Sequence, residues 1–130
     1  MRMRVIAAVL MLVPGFAQAA ELTCKRNPSL TGKCSMVKGS LGLTREVGVT
    51  LDRDDGSRIL IVAPAGSNAD ISTAVMQNWL YHQGRAGSIR TRMLGTYEVC
   101  PLPADSSKPN FSEFACINSG SRFTADKDVR

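Results

Sequence analysis

The sequence predicts a small α+β domain, mainly β with one helix, in the order β-β-β-α-β-β and stabilised by disulfides. Three observations carry that class. Apolar and polar residues alternate through several short stretches, the pattern of half-buried strands. Residues 67–84 switch to a three-and-four apolar spacing, the pattern of a helix with one buried face. Four cysteines, Cys24, Cys34, Cys100 and Cys116, occur in a chain of only 130 residues.

Residues 1–19 read as a secretory signal. Arg2 and Arg4 precede an apolar run, and Ala17-Gln18-Ala19 forms a small-residue cleavage motif. Pro14-Gly15 breaks the run too early for it to serve as a membrane anchor. The expectation is therefore an exported chain, periplasmic or extracellular, with no transmembrane anchor after cleavage. Cleavage leaves 111 residues, enough for one domain. It also takes two arginines and no acidic residue, so the formal charge falls from +5 to about +3. That balance, with few aromatics, argues against a nucleic-acid partner.

Residues 20–33 are polar, contain Pro28, and read as an irregular N-terminal arm tied down through Cys24. Residues 34–124 form the single domain, and 125–130 a polar tail. In the first strand, Val37, Gly39, Leu41 and Leu43 alternate with Met36, Lys38, Ser40 and Gly42. Val47, Val49 and Leu51 continue the alternation in a second strand. Asp54-Asp55-Gly56 signals a hairpin turn; the acidic run 52–56 lacks the spacing of an EF-hand calcium loop. Ile59, Leu60, Ile61 and Val62 make a third strand buried on both faces.

The helix is expected over 67–84, with Ser67 and Asp70 at capping-box spacing. Ile71, Ala74, Val75, Asn78 and Trp79 supply its recurring face, widened by Met76 and Leu80, and Gly84 fits the C′ position. A fourth strand covers 88–100, with Ile89, Met93, Tyr97 and Val99 on one side and Arg90, Arg92 and Glu98 on the other. Pro101-Leu102-Pro103 is expected to end it. Residues 104–110 form a polar loop, 111–117 a fifth strand, and the chain frays from Ser119.

Five strands with a helix between the third and fourth match the order of the oligonucleotide/oligosaccharide-binding (OB) barrel. Residues 34–41 (CSMVKGSL), 95–102 (GTYEVCPL) and 114–120 (FACINSG) also resemble small exported bacterial proteins with a Cys-led first strand and a late Val-Cys-Pro strand end. The resemblance implies a barrel-like module of the export compartment and brings no assigned activity with it.

An even cysteine count in a small exported domain predicts two disulfides. Metal ligation is the competing reading, but there is no C-x-x-C spacing and His82 is the only histidine; no metal or other cofactor is expected. The local pairing Cys24–Cys34 with Cys100–Cys116 closes two short loops and is preferred. The barrel order instead sets strand one antiparallel to strand four and favours Cys34–Cys100 with Cys24–Cys116.

Arg85, Arg90, Arg92 and Tyr97 are the candidate contact residues for a protein or small-molecule ligand. Arginines two apart on a strand share a face, and their guanidinium groups can fork onto carboxylates or phosphates. The bland alternative is a solvated face with cross-strand pairing to Glu98. Trp79 belongs to the helix's apolar face and reads as core. No catalytic residue is assigned, because His82 has no nucleophile motif to serve. The expected function is a non-enzymatic exported binding or interaction protein. Alternatives are a small hydrolase-type enzyme using His82, and a hydrolase inhibitor presenting loop 104–110.

Overall fold

The computed structural model describes residues 23–86 and 91–126. The signal assigned to 1–19, together with Ile89 and Arg90, lies outside them. Among the described residues the elements are β1 (Ser35–Thr44), β2 (Gly48–Arg53), β3 (Arg58–Ile61), α1 (Thr73–Ala86), β4 (Arg92–Leu102) and β5 (Phe114–Asp126). The described residues are mainly β, with five strands in one sheet, one helix and two disulfides.

The sheet closes in the order β1-β2-β3-β5-β4, with β1 antiparallel to both β2 and β4. Only β3 and β5 run parallel. The ladders place the starts of β1, β3 and β5 and the ends of β2 and β4 at one end of the barrel. Helix α1 links the end of β3 to the start of β4, so it belongs to the opposite end.

Alternation decides which side chains fill the barrel. Leu41, Leu51, Ile59, Met93, Tyr97, Val99 and Ile117 point inward and pack with Val75 and Trp79 of the helix. Trp79 also donates its indole N–H to the Thr91 carbonyl at 3.0 Å. A buried aromatic requires such a partner for its polar atom. All three apolar residues of β3, Ile59, Leu60 and Ile61, are buried, as a strand covered on both faces requires.

A second apolar cluster lies on the outside. Leu60, Leu102 and Phe114 point away from the barrel and are packed by Leu30 of the arm and by the cysteines. The arm is pinned by Thr31 N–H to Pro101 O at 3.0 Å, and by Asn27, whose side-chain amide donates to Ala65 O at 2.8 Å.

The disulfides are Cys24–Cys116 and Cys34–Cys100, which corrects the preferred local pairing. The reason is register. Ser35 pairs with Val99 across β1 and β4, so Cys34 arrives opposite Cys100. Cys24 then meets Cys116 across the outer face. The bridges span sequence separations of 92 and 66 residues. Closing loops that long removes more denatured-state freedom than short loops would, on the order of 4 kcal/mol each in the chain-entropy account.

Several boundaries differ from the sequence expectation. The helix starts at Thr73 because residues 70–72 are extended. Ile117 N–H donates to Asp70 O at 2.9 Å, and Ser72 N–H donates to Ile117 O at 3.0 Å. Ser67 makes only a local turn, accepting from Ala69 N–H at 3.1 Å. Gly84 lies inside the last turn instead of at C′. The buried helical face is also narrower, since Ala74, Asn78 and Leu80 are exposed. β4 continues through Pro101, whose carbonyl faces the arm on the side β1 no longer occupies, so its missing N–H breaks no ladder bond. β5 begins at Phe114 and does not fray at Ser119; it runs to Asp126, paired with Arg92.

Candidate functional site

Two of the expected contact residues are inside the structure. Arg92 is 4% exposed and lies across the outer face of β1 and β2. Its Nε donates to Ser40 Oγ at 3.0 Å, and one terminal nitrogen donates to Ser40 O at 2.6 Å and Thr50 O at 3.2 Å. Gly42 lies beneath it: a Cβ there would come within 2.7 Å of the guanidinium carbon. Asp52 Oδ1 sits 3.4 Å from Arg92 and 3.5 Å from Arg58, ion-paired to both without a geometrically good hydrogen bond. Arg92 is therefore structural, which corrects its assignment as a contact.

Tyr97 is fully buried, and its hydroxyl donates to Met93 O at 2.6 Å. Burial pushes this phenol above its ordinary range. It too is corrected from contact to core. Arg85 is exposed in the last turn of α1, over the Tyr81 ring at 5.9 Å. Arg90 lies outside the described residues. The three arginines are thus not brought together.

Glu98 pairs with the arm instead of with an arginine. It accepts from Asn118 at 2.8 Å, Ser119 at 3.1 Å and Lys25 at 3.0 Å. These contacts, the Asn118 hydrogen bond foremost and Lys25 next, hold its carboxyl below the usual range. His82 is half-exposed, edge-on to Tyr81 with ring centroids 5.5 Å apart. Among the described residues no side-chain hydrogen bond or ion pair engages its imidazole. The loop at 104–110 is exposed and folded on itself, with Asp105 accepting from Ser107 N–H at 2.9 Å.

The open end of the barrel holds a small cavity of about 230 Å³, floored by Ile59, Val99 and Ala115. Arg53 and Glu113 close its rim as a two-pronged pair at 2.7 and 2.8 Å. Each satisfies the other's charge, which leaves little for a ligand to gain there.

A larger depression, about 340 Å³, lies on the outer face where β1, β4 and β5 run side by side. Lys38, Asp54, Leu94, Thr96, Arg122 and Thr124 line it. A bulge in β5 creates it. Leu94 pairs with Thr124 and Thr96 with Ser121, so Arg122 and Phe123 together oppose Gly95. Phe123 turns inward onto Tyr97, with ring centroids 5.9 Å apart, in space that the missing side chains of Gly95 and Gly120 leave open. Arg122 turns outward and adopts φ 57°. That left-handed conformation is the one glycine normally supplies at such a bulge. A residue with a Cβ holds it at a cost of about 1 kcal/mol or more. Lys38 and Arg122 flank β4, roughly 10 Å apart at two strand spacings, and Leu94 is 39% exposed between them.

Sequence reasoning missed this site. Arg122 lies in the stretch expected to fray, and Gly120-Ser121 is the local hint of irregular backbone there. Compared with known protein families, curated proteins and solved structures, the chain matches no family model, no curated protein and no solved structure. Among the described residues no helix is long and apolar enough to cross a membrane. Two closed disulfides fit an oxidising, exported location.

Proposed function

We propose that the chain is a small exported, non-enzymatic binding module, periplasmic or secreted, that takes a ligand bearing a carboxylate or phosphate group in the depression between Lys38 and Arg122. One observation carries the reading. Arg122 occupies a strained backbone position that glycine would fill at lower cost, and its side chain lines the depression. Strain of this kind is kept where a side chain has a use. Neither Lys38 nor Arg122 has an ion-pair partner among the described residues, so both remain available to an anion. Thr96 and Thr124 add hydroxyl donors, and exposed Leu94 offers an apolar floor. Asp54, on the rim, disfavours a second negative group on that side and selects a ligand with one compact anionic end.

The test is nuclear magnetic resonance titration with inorganic phosphate and with acetate. Shifts should cluster on the amides of Leu94, Thr96 and Thr124, at millimolar affinity. Arg122→Gly should weaken that response about tenfold, which is about 1.4 kcal/mol, while the melting temperature stays level or rises. Shifts that ignore the depression, or that persist unchanged in Arg122→Gly, would sink the reading.

A further inference from the structure

The four cysteines do more than close two loops. The sulfurs of Cys24, Cys100 and Cys116 all lie within 4.8 Å of one another, and Cys34 is bonded directly to Cys100. The two bridges therefore lie side by side. Cys100 and Cys116 are also direct cross-strand partners in the β4–β5 ladder, although neither is bonded to the other. Directly opposed residues in an antiparallel pair hold their Cα atoms about 4.5–5.5 Å apart, inside the span of about 4.4–6.8 Å that a disulfide accepts. A third bridge, Cys100–Cys116, is thus available with little movement of the strands.

Access is one-sided. Cys24, Cys100 and Cys116 are buried, whereas Cys34 is half-exposed. Cys34 lines a surface depression of about 350 Å³ together with Lys25, Lys33 and Glu98. Lys33 is exposed and brings positive charge to the approach of an incoming thiolate.

We infer that this cluster is a thiol–disulfide exchange site, at which one dithiol reductant frees both anchors of the N-terminal arm. A thiolate of the dithiol attacks Cys34 Sγ. A mixed disulfide forms, the Cys34–Cys100 bond breaks, and its electron pair leaves on Cys100 as thiolate. Cys100 then attacks Cys116 Sγ, forming Cys100–Cys116 and expelling Cys24 as thiolate. The dithiol's second thiolate attacks its own sulfur in the mixed disulfide, leaving as a cyclic disulfide and releasing Cys34 as thiolate. Two electrons enter, the dithiol is oxidised, and its two protons finish on Cys24 and Cys34. Attack at Cys116 prevails over attack at Cys24 because Cys100 and Cys116 are fixed opposite each other by the ladder, while Cys24 sits on an irregular arm.

Two independent bridges would each need their own reductant before the arm could leave. Coupled bridges need one. Release uncovers Leu60, Leu102 and Phe114, which the arm and its bridges now cover. The cysteine cluster shares no residue with the Lys38–Arg122 depression, and exchange there is independent of it.

The test is limited reduction of the purified oxidised chain with substoichiometric dithiothreitol, followed by acid quenching, alkylation and peptide mapping by mass spectrometry. The expected two-electron product carries label on Cys24 and Cys34 and retains a Cys100–Cys116 bridge. Label on either native pair alone, a Cys24–Cys100 bridge, or direct passage to four free thiols would each overturn the inference. A second measurement uses the Cys24→Ser, Cys34→Ser double variant. On air oxidation it should close Cys100–Cys116 with the barrel folded; a folded variant that keeps two free thiols also overturns it.

Discussion

Replacing Arg92 by Met tests whether this arginine belongs to the fold or to a surface. The side chain keeps its length along β1 but loses the guanidinium. Ser40 O and Thr50 O lose a charged donor, and Asp52 retains only Arg58, whose side chain is 45% exposed. Hydrogen bonds to a charged group contribute roughly 1.5–3 kcal/mol each. Removing one member of a buried pair commonly costs about 3–5 kcal/mol, because the other is left uncompensated. The expected loss for Arg92→Met is therefore about 3–5 kcal/mol, a large share of the roughly 5–15 kcal/mol that holds a domain together. For a domain near this size that corresponds to a melting-temperature drop on the order of 15–30 °C. Trp79 is the chain's single tryptophan and is buried, so its fluorescence reports the transition directly. Adding Asp52→Asn to Arg92→Met should recover part of the loss, since it removes the stranded charge. Arg92→Lys should also destabilise, because an ammonium cannot serve Ser40 and Thr50 from one planar group. A melting temperature for Arg92→Met within about 3 °C of the parent, under 1 kcal/mol, would refute the structural account and return Arg92 to the surface.

Three further outcomes follow from Glu98 and Tyr97. Glu98 has a depressed carboxyl in the folded chain, so its contribution is fully present above the unfolded value of about 4.3 and is lost as pH falls through the lower folded value. Glu98→Gln should flatten the acid limb of stability against pH measured by urea unfolding; an unchanged slope would contradict the pairing with Asn118 and Lys25. Tyr97→Phe should cost about 1 kcal/mol, the loss of its bond to Met93 O. In the parent chain, alkaline absorbance titration should leave Tyr97 as phenol until the barrel unfolds. Ready ionisation of Tyr97 near the ordinary value of about 10 would show that the barrel interior is open to water.

Local pattern reached a good part of the architecture. The alternation of Val37 and Leu41, the apolar run Ile59–Ile61 and the i, i+4 series Ile71, Val75 and Trp79 all report burial correctly, because each depends on neighbours a few residues away. The same alternation put Arg92 on the outer side of β4, and that direction is right. What it could not say is that the outer side is closed there: Gly42 makes room, and Ser40, Thr50 and Asp52 supply acceptors from two other strands. The helix start failed for a related reason. Asp70 and Ser72 satisfy their backbone groups with Ile117, forty-odd residues away, and a capping signal cannot compete with that ladder.

The candidate site was less legible still. Arg122 gains its strained backbone from a bulge whose partner is Gly95, and Lys38 joins it only through the β1–β4 register. For the described residues, the sequence by itself determined the class, the number of strands and their order along the chain, the helix between the third and fourth, and the presence of two disulfides, because periodicity and cysteine parity are properties of the chain. Tertiary structure alone decided which cysteines pair, and that Arg92 is buried while Arg122 is exposed. Those outcomes depend on the register of strands distant in sequence, and shifting a ladder by one residue would turn every side chain concerned to the other face.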